Sequence, residues 1–182
     1  MRGRNTGATK SRHRGHPFCA TIGICPAPTV ADLTRRVVLR IALVAHDRRK
    51  DELMALARIH RWTLEEAHIT ATAHTGQRLA SLGVVCELVQ SGPAGGDIEI
   101  GCKVVRGQLD GVVFLQDHEA DHIHAADIAS LVRVCGYYGV PLAETVADAH
   151  RLLSQLALVQ ALRTGQTPPE MYAGYRTFAK SA

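Results

Sequence analysis

The sequence predicts an α/β domain built on a doubly wound, five-stranded and mainly parallel sheet with helices on both faces. Two observations carry this prediction. Short runs of aliphatic and β-branched residues alternate with segments of helical periodicity, five times in succession. Most of these runs are apolar throughout rather than at every second position, which is typical of strands covered on both faces. Strands that alternate with helices pair in parallel through right-handed crossovers.

The elements follow one another from Val37 onward. The predicted strands are VVLRIALVA (37–45), AHITATA (67–73), VVCELV (84–89), DGVVFLQ (110–116) and VPLAET (140–145). The predicted helices cover 48–62, a short stretch through Leu79 and Leu82 after Gly76, residues 98–108, 123–139 and 147–163. We therefore expect one domain over residues 37–182.

Residues 1–36 are predicted to form a flexible N-terminal extension. They are rich in Arg, Gly, Thr, Ser and Pro and show no sustained period, so they bury too little apolar surface to offset the entropy of ordering. The chain carries a net charge of +4, which divides into +7 over residues 1–40 and −3 over the rest. A basic head is also compatible with a targeting peptide or a nucleic-acid contact. A dispensable extension is the simpler interpretation, and no nucleic-acid partner is expected.

Composition excludes several classes of protein. The chain has 182 residues, of which 46% are hydrophobic and 21% charged, and no apolar run approaches the length of a membrane span. Five cysteines without a CxxC pair fit neither a disulfide framework nor a zinc knuckle. We expect a cytoplasmic protein whose cysteines are reduced and act as small buried hydrophobic residues.

Polar side chains follow each of the first four predicted strands. In a parallel sheet these positions meet at one edge, where ligands bind. They are His46, Asp47 and Lys50 after the first strand, Thr72, His74, Thr75 and Gly76 after the second, Ser91, Gly92, Gly95, Gly96 and Asp97 after the third, and Asp117, His124 and Asp127 after the fourth.

The segment SGPAGGD (91–97) is the most specific feature of this edge. Glycines at a strand-to-helix junction allow backbone N–H groups to approach an anion at a helix N-terminus, although a plain glycine turn fits equally well. The segment matches neither GxxxxGK[ST] nor GxGxxG, so a nucleotide site is not supported. Lys50, Thr72 and Thr75 add a cation and hydroxyls for one phosphate-sized anion.

Three acidic and imidazole side chains are candidates for proton transfer. Asp97 is either a helix-start carboxylate or a base placed beside a phosphate site. His124 and Asp127 have helical spacing and are either a histidine oriented by an acid or a surface pair. The stretch DHEADHIHAAD (117–127) lacks HxxxH and HExxH spacing, so no metal site is predicted.

Together, VAHDRRK, TAHTG, SGPAGGD, FLQD and HAAD, in this order, resemble the methylglyoxal synthase family from about Arg40 to Val146. The resemblance implies a cofactor-free lyase, usually hexameric, that converts dihydroxyacetone phosphate to methylglyoxal and inorganic phosphate. By the same resemblance, Asp97 matches the carboxylate that removes the substrate proton, His124 the histidine that stabilises the enediolate, and Asp127 a second acid of the site. The positions expected to bind substrate, its phosphate above all, are His46, Lys50, Thr72, His74, Thr75, Ser91 and Gly92.

The chain departs from the family pattern at several positions. The family's T-G-T-T-G is Thr72-Ala73-His74-Thr75-Gly76, so His74 replaces a hydroxyl that contacts phosphate. The family's D-P after the fourth strand is Asp117-His118 here, and its P-H-[DE]-P-D is Ile123-His124-Ala125-Ala126-Asp127, so two prolines are missing from the loop that presents the histidine. An asparagine is replaced around Glu144-Thr145. Tyr175 and Arg176 near the C-terminus have no fixed register against the family's subunit-crossing arginine. Besides the enzyme, two alternatives are a non-catalytic, phosphometabolite-binding regulatory module of the same fold and an interaction protein that uses its basic head.

Overall fold

The computed structural model describes residues 38–119 and 123–165, and within these a single parallel sheet forms the centre of the fold. Its strand order is β3-β2-β1-β4-β5, with every neighbouring pair parallel. The strands are β1 (Arg40–Ala45), β2 (His68–Thr72), β3 (Cys86–Val89), β4 (Gly111–Leu115) and β5 (Leu142–Ala143). The predicted fold class, a doubly wound sheet, is confirmed.

Helices connect and follow the strands. They are α1 (Lys50–Ile59), α2 (Arg61–Glu65), α3 (Ala73–Ala80), α4 (Gly96–Val105), α5 (Ala125–Tyr138) and α6 (Val146–Thr164), and short 3₁₀ turns lie at Asp47–Arg49 and Gly92–Ala94. Several end in the expected way, as α5 does at Gly139, whose φ of 64° is the left-handed conformation that glycine adopts most readily.

Two hydrophobic cores lie on opposite faces of the sheet. Alternate residues of β1 enter different cores: Ile41 and Leu43 face α1–α3 and α6, whereas Ala42 and Val44 face α4 and α5. The strand is fully buried on both faces, which explains why its sequence is apolar without alternation. The chain therefore reverses direction across the sheet between β1 and β4, and the carboxyl ends of these two strands form the switch point at which such folds bind ligands.

The predicted helix over residues 48–62 is wrong in its extent. A 3₁₀ turn precedes α1, and the chain breaks at His60, which ends α1 and precedes α2 with φ −101° and ψ 24°. The break turns the buried His60 ring towards α6, where its Nε2 lies 2.8 Å from Nδ1 of His150. This tertiary contact overrides the local periodicity.

Two further boundaries differ from the prediction. Helix α3 begins at Ala73 rather than after Gly76, so the TAHTG segment forms the end of β2 and the first turn of a helix. Strand β5 has two residues instead of six, because β4 pairs with it only through Val112 and Val113.

The cysteine prediction holds in part. Cys135 is buried and Cys86 partly so, and burial raises the pKa of both thiols to about 11. Cys102 is exposed, which contradicts the expectation for that residue. Cys19 and Cys25, the extension and the C-terminal Tyr175 and Arg176 lie outside the described residues. None of the helices in the described part of the chain has the length and apolar character needed to cross a membrane.

Candidate active site

A cavity of about 440 Å³ opens at the carboxyl ends of the strands, at the switch point between β1 and β4. Its walls combine apolar side chains of β1 and β4, such as Val44 and Phe114, with a dense set of polar groups. Eight of the ten predicted site residues line it: His46, Lys50, Thr72, His74, Ser91, Gly92, Asp97 and His124.

The glycine loop is shaped by its own hydrogen bonds. The N–H groups of Ala94 and Gly96 both donate to the carbonyl of Ser91, and Gly95 N–H donates to Gly92. A Cβ on Gly96 would lie 2.0 Å from the carbonyl oxygen of Gln90, so only glycine fits there. These N–H groups therefore bond within the loop. The loop places Ser91, Gly92 and the start of α4 at the cavity wall.

Asp97 is the most buried acid of the cavity. It lies in the first turn of α4 and is 1% exposed, in the field of the helix N-terminus, which favours a negative charge. Its Oδ2 lies 3.5 Å from Nε2 of His124, whose side chain is 10% exposed. A carboxylate and an imidazole thus face each other directly beside Gly92, on which a Cβ would lie 2.9 Å from the same Nε2 and 3.2 Å from the same Oδ2.

His124 is held by the backbone at the start of α5. It is the N-cap residue, with φ −109° and ψ 25°, and its carbonyl accepts hydrogen bonds from the N–H groups of Asp127 and Ile128. The family's prolines are absent here, but Ala125 and Ala126 form the first turn of the helix, a position that needs no N–H partner within the helix. Two backbone hydrogen bonds therefore hold residue 124 at the start of α5.

His46 is fixed in one tautomer. The backbone N–H of Asp117 donates to its Nδ1 at 2.9 Å, so Nδ1 is the acceptor and the proton of the neutral ring lies on Nε2. The ring packs edge-on against Phe114 and His124, with centroids 5.2 and 5.8 Å away. A neutral imidazole that offers an N–H is suited to bond a carbonyl or enolate oxygen.

Lys50 brings a buried cation to the cavity wall. Its side chain is 9% exposed, and its Nζ donates to Oδ1 of Asp47 at 2.5 Å. The hydrogen bond and charge of Lys50, with smaller contributions from His74 and His46, hold the pKa of Asp47 below its usual range. Lys50, His74 and His46 therefore lie close enough to act on one anion.

Thr72 lines the cavity, whereas Thr75 lies behind it. Thr72 ends β2 at the cavity, and its Oγ1 donates to Oγ1 of Thr75 at 3.1 Å. Thr75 is fully buried behind it and does not line the cavity. The structure thus places Thr75 as a support for the Thr72 hydroxyl. His74, between them, is exposed at the cavity wall.

Asp127 does not line the cavity of about 440 Å³ that holds eight of the other predicted residues. It lines a second cavity of about 370 Å³ between α4 and α5, together with Cys102 and Arg106, and Asp97 forms part of the wall between the two cavities. The backbone N–H of Asp127 donates to the carbonyl of His124, so the two residues are neighbours in the first turn of α5. The carboxylate facing Nε2 of His124 is that of Asp97.

Three charged residues of the cavity, Asp47, Arg48 and Asp117, were not among the ten predicted site residues, although the sequence analysis places Asp47 and Asp117 at this edge of the sheet. Asp117 is 9% exposed at the end of β4, and Arg48 reaches it from the 3₁₀ turn after β1, with Nη1 3.7 Å from Oδ2. The position of Asp117 after a buried strand is a sequence signal for a site residue. Arg48 carries a weaker one, its place two residues after His46. Among residues 38–119 and 123–165 no three His, Cys, Asp or Glu side chains gather to hold a metal ion.

Comparisons with known proteins give a consistent result. No protein-family model matches the chain. The chain is 47% identical over 119 residues to methylglyoxal synthase of Burkholderia cenocepacia strain HI2424, covering 65% of this chain and 92% of the relative. Methylglyoxal synthase of Burkholderia mallei strain SAVP1 is 45% identical over the same length.

A solved structure agrees with these relatives. The crystal structure of methylglyoxal synthase from Elizabethkingia anophelis NUHP1 superimposes with a TM-score of 0.61 at 35% identity, covering 65% of this chain and 78% of that one. The identity over nearly the whole length of the relatives, together with the shared fold, establishes that the chain belongs to the methylglyoxal synthase family.

Proposed function

We propose that the protein is a methylglyoxal synthase, a lyase that converts dihydroxyacetone phosphate to methylglyoxal and inorganic phosphate. The observation that carries the proposal is the buried carboxylate of Asp97, which lines the cavity of about 440 Å³ together with Lys50 and has His124 3.5 Å away. The names of the relatives support the same activity. A site that only senses a phosphorylated metabolite needs the basic groups of the cavity but has no use for this acid.

The proposed reaction begins with proton transfer. Asp97 removes a proton from the hydroxymethyl carbon next to the carbonyl, and the electron pair moves onto the carbonyl oxygen to give an enediolate. His124 and the Nε2–H of His46 donate hydrogen bonds to the enediolate oxygens. Donors already fixed by the fold stabilise charge that develops on these oxygens without further reorganisation.

Phosphate then leaves by elimination. The hydroxyl on the first carbon passes its proton to the enediolate oxygen, and its electron pair forms the aldehyde C=O. The carbon–carbon double bond of the enediolate breaks, its pair forms a new double bond to the phosphate-bearing carbon, and the phosphate leaves with the pair of the C–O bond. The remaining enol takes a proton at its methylene carbon and becomes methylglyoxal. Lys50, Thr72, His74, Ser91 and Gly92 are proposed to bind the phosphate group, with Thr75 supporting Thr72. Asp127 would act only through the wall it shares with Asp97.

Two finer features belong to the same proposal. The resemblance to the family implies a hexamer, with dihydroxyacetone phosphate and phosphate as small-molecule partners and no cofactor, and the cysteine usage favours a cytoplasmic location. The division into an extension (1–36) and a catalytic domain (37–182) is proposed alongside them. Deleting residues 1–36 is expected to leave turnover unchanged, and static light scattering of the full chain reports the oligomeric mass.

The direct test is an assay of products. Purified full-length protein is incubated with dihydroxyacetone phosphate without added metal, and methylglyoxal and phosphate are both quantified. We expect them in equal amounts. Absence of both products, with phosphate still bound in a calorimetric titration, would refute the enzyme and favour the regulatory module.

A further inference from the structure

Arg48 is a cation at the mouth of the cavity that the steps above leave unused. Its side chain is 73% exposed, and Asp117, its ion-pair partner, is 10% exposed at the cavity wall. The 3.7 Å between Nη1 and Oδ2 is longer than the roughly 2.7–3.2 Å of an N–H···O hydrogen bond. The two groups attract each other without a hydrogen bond at that point, so the arginine is loosely held.

The cavity lining has few positive charges for a ligand that carries a phosphate group. The described residues lining it include three carboxylates, Asp47, Asp97 and Asp117, against two permanent cations, Arg48 and Lys50. The charges of these aspartates and permanent cations alone sum to −1, although the proposed ligand is a phosphate ester. The ammonium group of Lys50 already donates a hydrogen bond to Asp47. Arg48 is the permanent cation whose hydrogen-bonding capacity is largely uncommitted.

We propose that Arg48 determines specificity for phosphorylated ligands. On binding, its guanidinium exchanges the long contact with Asp117 for a bidentate pair of hydrogen bonds to the phosphate group. The planar guanidinium matches a phosphate with two parallel N–H donors, which a lysine ammonium does not offer. The inference deepens the proposed function. Its prediction for the KM of dihydroxyacetone phosphate rests on that function, whereas its prediction for the affinity of inorganic phosphate does not.

The neighbouring Arg49 provides a matched control. Its Nη2 lies 3.0 Å from Oε2 of Glu52, one turn along the chain, and it does not line the cavity. Arg48→Ala and Arg49→Ala remove the same charge one residue apart. A difference between them therefore reports the position of the guanidinium and not the net charge of the protein.

The experiment measures the dissociation constant of inorganic phosphate by calorimetry, and kcat and KM for dihydroxyacetone phosphate, in the full chain. We expect Arg48→Ala to weaken phosphate binding and raise KM by about tenfold each, the effect of one charge-assisted hydrogen-bonded contact. The value of kcat should stay within about twofold, because Arg48 does not touch the reacting carbons. Arg48→Lys should recover part of the loss, and Arg49→Ala should match the unmutated protein.

The results separate the two hypotheses. Unmutated protein that binds phosphate but forms no methylglyoxal refutes the proposed function, and the phosphate affinities of the variants still decide the role of Arg48. Arg48→Ala with the affinity and KM of Arg49→Ala would overturn the inference. So would a fall in kcat at unchanged KM, which would place Arg48 in the chemistry instead of in binding.

Discussion

Replacing Gly92 with alanine tests whether the alignment of Asp97 and His124 controls turnover. A Cβ at this position lies 2.9 Å from Nε2 and 3.3 Å from Cδ2 of His124, and 3.2 Å from Oδ2 of Asp97. Ordinary contacts begin at 3.4 Å, so the imidazole must retreat by about 0.5 Å. The backbone at residue 92 has no positive φ, so alanine strains the site and not the chain.

The size of the effect follows from that displacement. A misplacement of about 1 Å in a catalytic geometry costs roughly a hundredfold in rate, so half of it costs about tenfold. We therefore expect kcat/KM for dihydroxyacetone phosphate to fall about tenfold in Gly92→Ala. The free energy of unfolding should change by less than about 1 kcal/mol, because a ring edge and not backbone has to move. Steady-state kinetics and urea denaturation measure the two quantities.

Gly136→Ala is the matched control. A Cβ there meets nothing within 4 Å, and the residue lies inside α5. Alanine should raise stability by up to about 1 kcal/mol and leave kcat/KM unchanged. If Gly92→Ala turned over like the unmutated protein, the close approach of His124 to Asp97 would be irrelevant to catalysis and the reasoning would fail.

Two further predictions concern stability. Burial and the neighbouring His150 lower the pKa of His60 from 6.5 to about 4. Because the folded protein binds this proton less well than the unfolded chain, stability should fall as pH drops from about 6.5 to about 4, by up to about 3 kcal/mol. Urea unfolding at pH 7 and pH 5 should show a smaller difference in His60→Gln, and equal differences would contradict the assignment. Gly96→Ala would bring Cβ to 2.0 Å from the carbonyl oxygen of Gln90, so we expect a loss of about 1–3 kcal/mol; an unchanged urea midpoint would show that the loop relaxes freely.

Much of the fold could be predicted because its strands are buried on both faces. A run such as Ile41–Ala45 has no reason to be continuously apolar unless helices cover both sides, and that one fact implies parallel pairing and the switch point. The break at His60 could not be predicted in this way. It depends on a contact with His150, ninety residues later, which leaves no trace in local periodicity.

Most residues of the candidate site could also be predicted from the sequence. The rule that ligands bind at the carboxyl ends of strands identifies most of the cavity residues. It fails where local conformation decides which way a side chain points. His124 is an N-cap residue with non-helical dihedrals, and the acid that its Nε2 faces is Asp97 of another helix, which local helical spacing does not indicate. Thr75 lies in the first turn of α3 and faces the interior, and Arg48 reaches the cavity mouth through a 3₁₀ turn where a regular helix was expected.

The measurement that tests the central claim most directly compares Asp97→Asn with the unmutated protein, in methylglyoxal formation and in phosphate affinity. Asparagine keeps the shape of the side chain and cannot accept the substrate proton. The account predicts a fall in kcat of about a thousandfold, within the range for loss of a general base, with phosphate bound equally well or more tightly. Turnover within tenfold of the unmutated protein would contradict the role of Asp97, and so would a loss of phosphate binding in step with a loss of turnover.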